Sequence, residues 1–80
     1  MKIIANKYTE KDVIRFLREG TTLSQNEFAK TVGLSEITVQ SYERGVRNYT
    51  FKTLMKIARK HGYTITIEKK WYIIFVPYFL

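Results

Sequence analysis

The sequence predicts a mainly α-helical protein in which four short helices form a bundle and a C-terminal β-strand or β-hairpin follows. Three observations carry that prediction. Two helical spans meet at Gly33 within residues 25–44, amphipathic helical spacing recurs on either side at 9–19 and 50–61, and at Tyr63 the apolar period shortens to two. No repeat, linker or low-complexity segment interrupts the chain. It is therefore expected to be one domain over residues 1–80, with a helical part at about 9–62 and a tail at about 63–80.

Residues 1–8 have no strong period and are expected to form an extended arm, with Ile3 and Ile4 over an edge of the core. Thr9 and Asp12 resemble a capping box with Asp in the reaching position, and Val13, Phe16 and Leu17 then follow at helical spacing as far as Glu19. Gly20 stops that helix. Ser24 and Glu27 have the reciprocal Ser-x-x-Glu spacing of a second helix start, after which Phe28, Ala29 and Val32 form a buried face. Gly33 stands where the backbone must reverse, since a residue without Cβ enters the left-handed region at no steric cost. Ser35 restarts the chain as an N-cap, and Val39, Tyr42 and the turn residue Leu34 point back at the preceding helix. Two helices so closely joined must nearly touch at the corner, which explains the small Ala29. The result is a helix-turn-helix.

After Arg44, residues 45–49 read as a loop. Thr50 can cap a fourth helix whose core side is Phe51, Leu54, Ile57 and Ala58, and Gly62 ends it. The alternation at 63–68 predicts a half-buried strand, Lys69 and Lys70 a turn, and residues 71–76 a second, nearly continuous apolar strand before Pro77.

The chain of 80 residues carries 14 Lys plus Arg against 7 Asp plus Glu, a net charge of +7 that attracts polyanions. A chain this short buries only about 60% of its unfolded surface, so oligomerisation is an economical way to add core. There is no cysteine, and hence no disulfide or thiolate metal site. The N-terminus lacks a signal-peptide pattern, and no apolar run approaches the roughly 18 residues of a membrane span, so a soluble, cytoplasmic protein is expected. Gly-rich phosphate loops, zinc-protease motifs and acidic calcium loops are absent, and the seven scattered carboxylates offer no acid/base pair. The single histidine, His61, lies at a helix end and reads as structural. Neither enzymatic activity nor a cofactor is expected.

The spacing of Ala29, Gly33, Val39 and Tyr42, with Leu23, Ser24 and Gln25 before it and Glu43, Arg44, Gly45, Arg47 and Asn48 after it, resembles the Xre or Cro/C1 type of phage-repressor-like helix-turn-helix. The resemblance covers about residues 13–62. It implies double-stranded DNA as the partner, the second motif helix as the reader, and Gln25 as a residue that contacts the DNA backbone. One departure is Tyr49, which stands where a proline is common in that family.

A helix laid in the major groove presents its N-terminal turns to base edges. The outward residues here are Ser35, Glu36, Ile37, Thr38, Gln40, Ser41 and Arg44. Gln40 has the geometry to pair with the N6/N7 edge of adenine, Ile37 to touch a thymine methyl, and Ser41 and Thr38 to reach a base or a phosphate. Arg44 can read guanine or bind phosphate. Glu36 can accept from cytosine, repel wrong sequences or complement the helix dipole. Arg47, Asn48 and Lys52 would grip phosphate, while Glu43 is expected to hold the loop.

These features predict a sequence-specific DNA-binding regulator, a small dimeric repressor on a palindromic operator, encoded by a bacterium, plasmid, mobile element or phage and too short to add a ligand-sensing domain. Dimerisation is expected through Ile65, Ile67, Trp71, Ile73 and Phe75, whose combined apolar surface exceeds what one thin helix covers. The alternative partner is a toxin protein, the chain then being an antitoxin that also binds its own operator. A membrane-surface role for residues 71–80 would leave the helix-turn-helix without a purpose.

Overall fold

A computed structural model describes residues 1–69. Four helices follow a single 3-10 turn at Ala5–Lys7: α1 at Glu10–Glu19, α2 at Gln25–Thr31, α3 at Glu36–Glu43 and α4 at Phe51–His61. The core lies where all four meet. Ile14 from α1, Phe28 from α2, Val39 from α3 and Ile57 from α4 are fully enclosed, with Ala29 and Val32 beside them.

Local hydrogen bonding explains most helix limits. Ser24 Oγ accepts from the Glu27 backbone N–H at 3.1 Å while Glu27 accepts from the Ser24 N–H at 3.1 Å, so the capping box that opens α2 is complete. Ser35 and Thr50 each accept from the backbone N–H three residues on, opening α3 and α4. Gly33 has φ +72°, which lets the Leu34 N–H reach back to the Ala29 carbonyl at 2.9 Å and close the end of α2. Gly45, at φ +75°, ends α3 the same way through Val46 and Ser41.

The first helix starts after Thr9 and stops at Gly20, where expected, but by other means. The Thr9 hydroxyl donates to the Asp12 carboxylate at 3.1 Å and makes no cap bond to backbone, because the short Asp side chain meets the hydroxyl first. Gly20 is in the ordinary right-handed region. What it supplies is space: a Cβ there would collide with the hydroxyl of Tyr63, which donates to the Leu17 carbonyl at 2.8 Å. The reversal falls on Thr22, at φ +63°.

Three further expectations are corrected. The arm is not wholly extended, since residues 5–7 form the 3-10 turn, and it is held by an edge-to-face contact of Tyr8 with Phe16 at 5.0 Å while Ile3 packs on the core and Ile4 stays exposed. Phe51 is 61% exposed, because it sits in the first turn of α4, at the rim of an apolar cleft of about 460 Å³ shared with Tyr8, Val13 and Leu54. No strand forms at 63–69, a segment that pairs with no other among the described residues, and Ile65 is half-buried whereas Ile67 is 88% exposed. The second candidate strand, with Trp71, Ile73 and Phe75, lies outside the described residues.

His61 is structural, as its position suggests. Its ring stacks on Phe28 at 5.2 Å and shares a 2.8 Å hydrogen bond with the Thr31 hydroxyl. That hydroxyl gives its one proton to the Phe28 carbonyl at 2.7 Å, so the ring must donate from Nε2. Burial, and then the charge of Lys60, hold the His61 pKa below its ordinary 6.5. The unfolded chain therefore binds more protons between that lowered value and 6.5, and stability falls as pH drops through this window. Thermal melts between about pH 7 and 5.5 should show a decline that His61→Gln reduces.

Candidate nucleic-acid interface

Helix α3 is fixed from behind and open in front. Val39 and Tyr42 bury its inner face, while Ser35, Glu36 and Arg44 are exposed and Ile37 is 74% exposed. Thr38, Gln40 and Ser41 are half-buried along the same outer side. The hydroxyls of Ser35 and Thr38 lie 2.8 Å apart at the cap, so the pair is ordered as one polar edge at the start of the helix.

A part-buried ion pair joins α3 to α1. Arg18 Nε and Nη2 donate to the two carboxylate oxygens of Glu43 at 2.7 and 3.0 Å, and Arg18 Nη1 donates to the Leu23 carbonyl at 3.0 Å. The Glu43 side chain is 5% exposed and that of Arg18 17%. The hydrogen bond to Glu43 raises the Arg18 pKa despite the cost of burial. Gln25 joins the network by donating from Nε2 to Glu43 at 3.3 Å. Glu43 thus ties α3 to α1 and to the start of α2, and does not hold the loop as its position suggested.

The loop is held by Tyr49 instead. Its hydroxyl donates to the Glu10 carbonyl at 2.8 Å and its ring meets Tyr42 edge-on at 5.5 Å, joining the loop to α1 and to α3 at once. Burial, helped by the Glu10 charge, pushes its pKa up to about 12. Arg47 and Asn48 are exposed just before this anchor, and Lys52 is exposed just after it on α4. Asn48 and Arg44 share a polar cleft with Thr9 and Lys11 at the start of α1.

The structure thus places Glu36, Ile37, Thr38, Gln40 and Ser41 on α3 with Ser35 and Arg44 as its caps, flanked by Gln25 on α2 and by Arg47, Asn48 and Lys52 beyond α3. Sequence reasoning missed the role of Arg18, 25 residues from its partner, because helical spacing groups it with Lys11 and Arg15 on the wet side of α1, whereas its side chain is only 17% exposed. It also missed that Tyr49 anchors the loop. Among the described residues no group of acids or histidines is placed to hold a metal ion, and no helix is long and apolar enough to cross a membrane.

A family model described as Helix-turn-helix (HTH_3) matches residues 14–67. No curated protein matches the chain. Among solved structures, the fold is similar to one described as MDT Protein and to a chain of a HipA-HipB-O2-O3 complex. Each is 22% identical, with a TM-score of 0.61 over 88% of this chain and 99% of that one. A chain of a HipB-O1-O2 complex is similar at 22% identity and a TM-score of 0.60, over 86% of this chain and all of that one. With the family match extending over more than half of its length, and with both caps, the Gly33 corner and the open face of α3 in place, the chain belongs to the Cro/C1-type, Xre-like family of DNA-binding helix-turn-helix proteins.

Proposed function

We propose that this DNA-binding regulator is a small dimeric repressor that occupies a palindromic operator, with α3 in the major groove. One observation carries the reading: α3 is anchored from behind by Val39, Tyr42 and the Arg18–Glu43 pair, while Ser35, Glu36, Ile37 and Arg44 stay exposed along its outer side. Gln40 and Ile37 read bases, Arg47, Asn48 and Lys52 bind phosphate, and Gln25 meets the backbone at the start of α2. The role is binding, not catalysis, and its place is the bacterial cytoplasm, on the nucleoid.

Dimerisation through the C-terminal segment supplies the second reading head, since two heads about 34 Å apart read a palindrome together. Ile67, apolar and 88% exposed, supports it. A second reading, in which the chain also neutralises a toxin, is favoured by the similar chain found in a complex that includes HipA. Fluorescence anisotropy on duplexes selected from a random pool tests the first reading. Affinity should fall with a slope near −0.9 per neutralised phosphate against log salt and should exceed that for a scrambled duplex. Ile67→Glu should shift the chain toward monomer in sedimentation and weaken operator binding. Salt-independent, sequence-indifferent binding would remove the proposal, and a full-length chain that is monomeric at micromolar concentration would leave the tail to a toxin.

A further inference from the structure

Between Glu43 and Glu68 the chain carries Arg44, Arg47, Lys52, Lys56, Arg59 and Lys60 and no carboxylate. Lys52, Lys56 and Arg59 are spaced four and three residues apart, which aligns them on one face of α4, away from Leu54, Ile57 and His61. All three are exposed, and none forms an ion pair among the described residues. Like charges one helical turn apart destabilise a helix slightly, and a polyanion laid along them removes that cost.

The middle residue has a particular position. The Lys56 ammonium lies 3.2 Å from where a Cβ on Gly33 would stand, so α4 delivers a cation to the turn between α2 and α3. Two residues beyond Gly33 is Ser35, whose side chain caps the first turn of α3. That is the end of a reading helix that approaches base edges, and phosphates flank it. Arg47 and Asn48 follow the other end of α3, and Lys56 reaches the near end.

We infer that Lys56, supported by Arg59, grips the DNA phosphates that flank the start of α3, extending along α4 the phosphate contact assigned to Lys52 above. The inference rests on the DNA-reading role proposed above. An acidic protein would match the charge, but the ammonium's place at the entry end of α3 favours DNA.

The test scans the selected duplex with single neutral methylphosphonate replacements, using the full chain, Lys56→Gln, Lys56→Arg and, as a matched loss of charge on the N-terminal arm, Lys2→Gln. At one or two adjacent positions the replacement should weaken the parent and Lys56→Arg by roughly fivefold yet leave Lys56→Gln unaffected, and the salt slope of Lys56→Gln should drop by about 1. Lys2→Gln should keep the parental profile. A Lys56→Gln protein with native circular dichroism and the parental profile and slope overturns the inference, whether or not the face then binds an acidic protein. If the parent itself selects no DNA, the DNA-reading proposal fails instead.

Discussion

Arg18→Met is expected to destabilise the protein by about 3 kcal/mol, because it leaves the Glu43 carboxylate enclosed without its counter-charge. The Glu43 side chain is only 5% exposed and would keep a single side-chain partner, the Gln25 amide at 3.3 Å. A chain of 80 residues has roughly 4–12 kcal/mol of stability in all, so the loss would be visible in any urea titration. The double variant Arg18→Met/Glu43→Leu should recover most of it, since both charges leave the interior together. Equilibrium unfolding of the four proteins gives the coupling directly, and a double variant as unstable as the sum of the singles would show that the pair is not coupled.

Phe28→Ala should cost about 3–5 kcal/mol, the range for removing a large aromatic from a closed core. Phe28 is fully enclosed, and its ring is the stacking partner of His61. The change therefore opens a cavity where α2 and α4 meet and frees the imidazole that bonds Thr31. Phe28→Leu keeps most of the volume and should cost much less. Equal losses for the two would mean that the site collapses around a smaller side chain and that packing there is loose.

One of these effects is legible in the sequence and the other is not. Phe28 was readable because burial on a helix follows a local period, and so were Ser24, Ser35 and Thr50, whose caps act over three residues. Gly33 was readable because the φ it adopts suits glycine. The Arg18–Glu43 pair was not, since it joins residues brought together only by tertiary packing. Thr9 shows the limit of a local pattern: the spacing of a capping box was present, and the hydroxyl bonded the carboxylate instead. Phe51 had the right period but lies on the first turn of α4, where the bundle does not close over it. Alternation at 63–68 marks a segment able to pair, and pairing depends on a partner that the pattern does not name. Of the interface, the exposed face of α3 could be read from spacing alone, whereas the reach of Lys56 to the Gly33 turn depends on how α4 packs in the fold.

The claim that the outer face of α3 reads base pairs is tested most directly by selecting bound duplexes from a random pool with the parent and with Gln40→Ala. The parent should select an inverted repeat, and Gln40→Ala the same repeat with one position relaxed in each half and a loss of about 1–3 kcal/mol on the parental site. An unchanged motif for Gln40→Ala at unchanged affinity, or no enriched motif for the parent, would contradict it.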